Sequence, residues 1–402
     1  MKRTLIVVGH GMVAHRLVAR LLAEDTGRAW RVLVIGEEPW PAYDRIQLSR
    51  CLGGGGAAES LFLDPVALTD SRVEVLTGSR VVGVDRERRV VRTEDGACRP
   101  YDALVLATGS RAFVPPVPGW DTAGCFAYRT LRDVEDIRAA ATTGGTAVVV
   151  GGGLLGLEAA NGLDALGMRV HVVELAPRLM PVQLDEPGGL LLAGIIRGRG
   201  VDVRCGVAVE RVEAGADGRV ASVVLTDGSS LDASVVVFAA GVRPRDELAV
   251  GAGLAAGPRG GFLVDEWCRT PDPRVWAVGE CAAVSGQCHG LVAPGHRMAE
   301  SVAAQLLGRA AAPFSDPDLS TRLKLLDVQV ASFGDAHGRT DGALEFTVEQ
   351  PPGERYAKLV LSGDGRTLLG GVLVGDTGPF PHLRSLVGRP IPVSADALLR
   401  GA

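Results

Sequence analysis

Two short stretches combine the residue types that cradle a pyrophosphate: Val7-Val8-Gly9-His10-Gly11-Met12-Val13-Ala14 and Val149-Val150-Gly151-Gly152-Gly153-Leu154-Leu155-Gly156. Each is a β-branched run ending in glycines and continuing into a helical pattern, so a buried strand turns sharply into a helix whose amino end can face an anion. Gly9 and Gly151 supply the tight turn. Gly11 and Gly153 let the backbone approach the phosphates, and Ala14 and Gly156 allow close packing of helix on strand. Each stretch also has a second strand ending in an acid, Glu37 and Glu174. These lie about twenty residues or a little more beyond the second glycine, where a ribose diol needs an acceptor. One such turn alone is weak evidence; two, each with its acid, predict two dinucleotide sites.

The elements that must carry these turns follow from the rest of the chain. At 402 residues, 47% hydrophobic and 22% charged, the sequence has material for two or three well-cored domains. A net charge of −5 without a basic block excludes a nucleic-acid footprint. The apolar run after Met1-Lys2-Arg3 stops at Gly9, too short for a signal peptide, and no stretch reaches the length of a membrane span. The seven cysteines are scattered and odd in number, which predicts a reducing, cytoplasmic setting.

In chain order, residues 1–37 predict a βαβ unit. Pro39 and Pro41 bar a helix before Ala42, and Gly53–Gly56 reads as a flexible joint. Residues 72–106 alternate as an antiparallel meander, with a solvated hairpin tip at Arg86-Glu87-Arg88-Arg89. A buried strand then ends at Thr108-Gly109, and the proline-rich 114–119 marks a boundary. After a helix at 132–141 the plan repeats: βαβ unit, meander over 201–231, and a strand ending at Gly241. A further strand ends at Gly279-Glu280, and a helix is predicted from His296 to Leu307, just after Pro294-Gly295. The remainder, with strands at 322–333, 343–349, 355–361 and 367–374, reads as a small α+β domain. The fold expected is α/β, two nested Rossmann-like domains with a C-terminal α+β domain.

With these motifs in view, the chain resembles the two-dinucleotide-binding-domain flavoprotein reductases, the pyridine nucleotide-disulfide oxidoreductase fold that includes rubredoxin and ferredoxin reductases. Pro41-Ala-Tyr-Asp-Arg-Ile-Gln-Leu-Ser49, Val278-Gly-Glu-Cys-Ala282 and Leu323-Lys-Leu-Leu-Asp-Val-Gln-Val-Ala-Ser-Phe-Gly-Asp335 are similar to the flavin-bearing part of NADH-dependent nitrite reductase large subunits. The resemblance implies FAD on the first glycine turn and NADH on the second. Domains are then expected at 1–113 and 242–314 (FAD), 114–241 (NADH) and 315–402 (an interface domain, with a homodimer as one outcome). It assigns Gly9, Gly11, Met12, Ala14, Glu37, Arg45, the Val81 backbone, Thr108, Gly109, Gly279 and Glu280 to FAD. The helix at His296 is expected to point its positive end at the flavin and favour the anionic reduced state. Gly151, Gly153, Gly156, Glu174 and Gly241 fall to NADH. Glu158 aligns with an acid that relatives pair with a lysine beside flavin N5; here Arg50 is the candidate partner, the two forming the expected catalytic pair, with a surface helix residue and a helix N-terminal acid as the alternative reading.

Glu174 favours NADH, because a carboxylate there repels a 2′-phosphate by about 1–4 kcal/mol; Arg178 is placed to soften that preference. Disulfide reductases of this fold carry a Cys-x4-Cys pair, and no such spacing occurs here. Single-thiol relatives place a cysteine where this chain has about Asp44, and Cys51 reads as a buried helix residue. The spacing of Cys281, Cys288, His289 and His296 matches no usual metal-ligand pattern, so no metal is expected. Full-length nitrite reductase large subunits continue into iron–sulfur and sirohaem regions, and the sequence stops at Ala402 without them, so nitrite reduction by this polypeptide alone is not expected. The leading expectation is an FAD-dependent NADH:acceptor oxidoreductase delivering electrons to a small iron–sulfur protein or a reductase subunit. An NADH oxidase making hydrogen peroxide and a redox-controlled flavin-bound interaction protein are the alternatives.

Overall fold

The computed structural model describes residues 2–65, 69–315, 317–326, 328–349 and 353–400. Along the chain the helices are α1 (Met12–Glu24), α2 (Leu48–Leu52), α3 (Leu131–Ala140), α4 (Leu154–Ala165), α5 (Glu186–Arg197), α6 (Leu248–Ala252), α7 (Val292–Leu306), α8 (Phe380–Leu386) and α9 (Ala395–Arg400). The chain folds as two units. One comprises residues 1–47, 58–111 and 242–317, the other 48–57, 112–241 and 318–402.

In the first unit, five strands form a parallel sheet in the order 275–277, 103–106, 3–8, 30–35, 73–76. The central strand pairs Leu5 with Val32 on one side and Val7 with Val105 on the other. Its last four residues, like all of Ala103–Leu106, are buried, as continuous apolar runs in a sheet covered on both faces require. Helix α1 turns Ala14, Leu17, Val18, Leu21 and Leu22 toward the core, one stripe at helical spacing.

The second unit repeats the plan, with the order 202–205, 169–174, 146–150, 235–238, 125–127. Thr130 and Asp133 form a reciprocal capping box that starts α3 at Leu131, one residue before the expected helix. This unit also holds the antiparallel C-terminal sheet, ordered 321–325, 328–334, 368–374, 356–361, 344–349.

Four expectations need correcting. The first strand of each presumed meander, Val73–Leu76 and Asp202–Cys205, is instead a parallel edge strand, pairing Val32 with Val73 and His171 with Asp202. An edge strand is half exposed, so it alternates as an antiparallel one would. Helix α7 begins at Val292, so Pro294 and Gly295 lie inside its first turn, where a missing N–H costs no helical bond. The stretch 322–333 is two strands turning at Leu326, which takes φ +42°; Asp327 lies outside the described residues. The hairpin tip is exposed at Glu87, Arg88 and Arg89, but Arg86 is half-buried: its guanidinium donates to the carbonyls of Ala252 (2.5 Å) and Gly253 (3.0 Å) at the carboxyl end of α6. Within the expected joint, Gly53 also makes a close approach: a Cβ there would lie 3.2 Å from the Ala165 methyl and 3.6 Å from the Gly162 Cα of α4.

Candidate dinucleotide sites

In the first unit, Gly9 adopts φ +112°, and a side chain there would run into the Ala107 backbone, so only glycine closes this turn. Gly11 is the N-cap of α1; no side chain caps that helix, and a Cβ at Gly11 would meet nothing within 4 Å. Free amide groups therefore face open space at the positive end of the helix. Both ring nitrogens of His10 and Nδ1 of His15 are buried with no hydrogen-bond partner among the described residues. Burial, and then His15, lower the His10 pKa to about 4; burial also lowers those of His15 and His296, so all three are neutral at pH 7. An uncapped helix end with unpartnered donors beside it fits a bound dinucleotide phosphate.

Ala14 packs at 1% exposure on the inner face of α1, and Met12 is the first residue of that helix. Glu37 forms ion pairs with Arg245 and, at 3.8 Å, with Arg80, the residue preceding Val81 at the start of its strand. Arg45 lies 4.8 Å from the Tyr43 ring centre and pairs with Glu38, which also accepts from the Tyr43 hydroxyl at 2.7 Å. Burial opposes the Arg45 charge, but Tyr43, Glu38 and Glu280 together raise its pKa. Glu280 Oε2 accepts from the Ser110 hydroxyl at 2.9 Å, beside Gly109 at φ +68°, and the Thr108 hydroxyl donates to the Arg245 carbonyl. The structure thus brings Arg45, Gly109 and Glu280 to one locality. A Cβ at Gly295 would lie 3.3 Å from the Gly279 Cα and would overlap the Val13 side chain at 2.5 Å, so the amino end of α7 abuts the first glycine turn. His296 is the fifth residue of α7 rather than its start.

The second unit repeats the cradle with different polar partners. Gly151 takes φ +116° against the Ala239 carbonyl, which follows the strand 235–238 and leads to Gly241 at φ +106°. Gly153 is the N-cap of α4, uncapped and open, and Gly156 presses on the backbone of Gly151. The Glu174 carboxylate accepts from the backbone N–H of Gly152 (2.6 Å) and Ala176 (2.7 Å), fixing it beside the turn. Arg178 donates its Nε to the Leu184 carbonyl at 3.1 Å.

Helix α2 packs on α4, with Leu52 filling the space above Gly162, so Arg50 and Glu158 are carried on touching helices. Arg50 is exposed, Glu158 half-buried, and Cys51 a buried residue of α2, its thiol 3.6 Å from the Ala57 carbonyl. Tyr128 is fully buried nearby; burial first, then Glu158, push its phenol pKa up. Sequence reasoning missed His10, Ser110, Tyr128 and Arg245. Only His10, set between two turn glycines, carried a local signal.

A family model described as pyridine nucleotide-disulphide oxidoreductase matches residues 3–305, and one described as the rubredoxin NAD+ reductase C-terminal domain matches 320–391. The chain belongs to the pyridine nucleotide-disulphide oxidoreductase family, and with it to the flavin- and NAD(P)H-dependent oxidoreductases. It is 46% identical over 400 residues to a nitrite reductase [NAD(P)H] large subunit of Klebsiella oxytoca, covering 99% of this chain and 42% of that protein. It is 41% identical over 401 residues to the nitrite reductase (NADH) large subunit of Escherichia coli K12, covering 99% and 47%. Among solved structures, the covalent putidaredoxin reductase–putidaredoxin complex matches with a TM-score of 0.87 and 27% identity, over 98% of this chain and 95% of that one. The chain therefore spans less than half the length of the nitrite reductase subunits it matches. Among the described residues no helix is long and apolar enough to cross a membrane.

Proposed function

We propose that the protein is an FAD-dependent NADH:acceptor oxidoreductase of the cytoplasm, passing electrons to a separate iron–sulfur protein or reductase subunit without a redox-active disulfide. The observation that carries this reading is the doubled cradle: two uncapped helix ends, each behind a glycine turn and beside an acid. FAD in the first cradle would supply the chemistry, accepting hydride at N5 and releasing electrons onward. Gly9, Gly11, Met12 and Ala14 would seat its pyrophosphate, Glu37 its ribose and Val81 its adenine. Thr108, Gly109, Gly279, Glu280 and Arg45 would line the remainder, with the amino end of α7 close by. Gly151, Gly153, Gly156 and Gly241 would frame the second dinucleotide, and Arg50 and Glu158 would orient its nicotinamide, where distance and alignment dominate the rate.

NADH is favoured over NADPH because Glu174 presents a carboxylate to the ribose, while the Arg178 Nε is engaged by the Leu184 carbonyl. The absence of Cys-x4-Cys spacing leaves the flavin to hand electrons on directly. The test is anaerobic stopped-flow reduction of the purified yellow protein by NADH and by NADPH, then mixing with oxygen or with small iron–sulfur carriers. Fast bleaching by NADH with carrier-dependent reoxidation is expected. A flavin that stays oxidised in excess NADH would overturn the reading, and fast reoxidation by oxygen alone would replace it with an oxidase.

A further inference from the structure

Lys358 lies on the strand Tyr356–Leu361 of the C-terminal sheet, with its side chain 3% exposed. Its Nζ sits 3.1 Å from Asp185 Oδ2 and 3.1 Å from Glu345 Oε1. Tyr356, two residues earlier on the same face, donates its hydroxyl to the same Asp185 oxygen at 2.6 Å. Asp185 is the N-cap of α5, its other oxygen accepting from Gly188 N at 3.3 Å. One carboxylate thus caps a helix of the nucleotide module and takes two bonds from the C-terminal sheet. Replacing a buried ion pair by hydrophobes of equal volume is often neutral or stabilising, so packing alone does not call for a lysine here. What a charged cluster adds is a fixed direction.

That direction bears on the second cradle. The loop 175–184 runs from the ribose acid Glu174 to Asp185. At its middle the Met180 N–H donates to the Gly152 carbonyl at 2.9 Å, with Met180 held at φ +49°. The loop therefore backs directly onto the glycine turn. The C-terminal domain grips it a second time, where His337 Nε2 lies 2.8 Å from the Val182 carbonyl. A third contact reaches α4 itself: the Leu326 N–H donates to Asn161 Oδ1 at 3.0 Å, one turn beyond Glu158.

We propose that Tyr356, Lys358 and His337 are positioning residues for the nicotinamide nucleotide: through Asp185 and Val182 they hold the loop 175–184 against the second glycine turn. The inference rests on the NADH reading of that turn. The C-terminal domain is then a working part of the nucleotide site rather than a cover.

The test compares wild type with the double variant Tyr356→Phe/His337→Ala and with Lys358→Met, all as full-length, flavin-loaded protein. The first readout is hydrogen exchange of residues 176–184 without nucleotide; the second is the NADH concentration dependence of anaerobic flavin reduction. Faster exchange in the loop is expected, with the half-saturating NADH concentration raised roughly three- to tenfold, the worth of one net hydrogen bond. The reduction rate at saturation and the FAD content should stay at wild-type values. Unchanged exchange, or unchanged NADH dependence in the face of faster exchange, would overturn the proposal, as would a fall in the saturated rate without a shift in half-saturation. His337→Ala alone removes only a surface contact, so it decides the question by the same two readouts if the buried variants do not fold. If wild-type flavin is not reduced by NADH, the proposed function fails on its own, and the NADH concentration needed to slow exchange of residues 176–184 in wild type and variants still decides this inference.

Discussion

The two helix-starting glycines of the second cradle make a sharp comparison. Gly153 has φ −85° and ψ −171°, a conformation alanine adopts freely, and a Cβ there meets nothing within 4 Å. Gly153→Ala should therefore leave the nucleotide-free protein as stable as wild type, or gain about 0.4–1 kcal/mol through the unfolded state. The added methyl nevertheless stands where a phosphate must approach the first-turn amides. Losing one hydrogen bond to a charged group costs about 1.5–3 kcal/mol, which is roughly ten- to a hundredfold in NADH affinity. Gly156 differs. A Cβ there would overlap the Gly151 carbonyl oxygen and lie 2.8 Å from its carbon, so α4 has to move away from the turn. Overpacking of this kind costs about 1–3 kcal/mol, so Gly156→Ala should weaken NADH and also lower the unfolding midpoint by several degrees. Thermal unfolding, bound-flavin absorbance and anaerobic NADH titration separate the two, and FAD should stay bound in both. A Gly153→Ala protein that binds NADH like wild type, or melts as early as Gly156→Ala, would refute the assignment of this helix end to a phosphate.

Three further outcomes are expected. Glu174→Gln removes the repulsion toward a 2′-phosphate, about 1 kcal/mol at contact in water and more with partial burial, so the NADH-to-NADPH ratio of kcat/KM should narrow at least about fivefold. His10 is lowered from 6.5 to about 4 by burial, so the folded state binds fewer protons than the unfolded chain between those values. The stability this contributes is complete above the unfolded value, drains as pH falls through the window, and is gone below about 4. Near 1.4 kcal/mol per pH unit, the flavin-free protein should lose up to about 3 kcal/mol there, a loss that His10→Leu should flatten in urea titrations at pH 7 and 4.5. Arg72 is buried between Asp25 Oδ2 (3.2 Å) and Asp70 Oδ2 (2.8 Å); Arg72→Met strands the buried Asp25 and should cost about 3–5 kcal/mol in the same titration.

Much of this was legible in the sequence because the informative positions act through the backbone. Gly9 and Gly151 are dictated by positive φ and a strand end pressing on them, and no other residue type substitutes, so spacing alone reveals them. Parallel strands buried on both faces announce themselves as unbroken β-branched runs. Edge strands do not: Val73–Leu76 is half-buried throughout, so it admits a charged residue at Glu74, and the resulting apolar–polar alternation carries no information about direction. Helix α7 was misplaced for a related reason. Proline usually precedes a helix, but its missing N–H is equally harmless in the first turn, so Pro294 marks the region of the start and not the residue. Arg86 and Ser110 could not be read at all, since their roles come from partners far away in the chain.

The duplication also shows where two copies of one plan diverge chemically. Glu174 is the last residue of its strand and Glu37 lies two residues past the end of Trp30–Ile35, and Glu37 is compensated by the guanidinium groups of Arg245 and Arg80. Among the described residues Glu174 makes no ion pair and is held by two backbone N–H groups instead. Neutral donors orient a carboxylate without cancelling its charge, whereas a guanidinium does both. The first acid can therefore bind a ribose diol but presents a weakened field to any nearby phosphate, a condition suited to a cofactor that stays bound. The second has no such compensation, and under the proposed NADH preference its discrimination against a 2′-phosphate would depend on that. Placing an arginine at Ala176, whose backbone N–H already meets Glu174, would bring the second site toward the first. Ala176→Arg should then raise affinity for NADPH while leaving NADH within a few fold. NADPH affinity unchanged in this variant would show that something other than the bare Glu174 charge sets the choice of nucleotide.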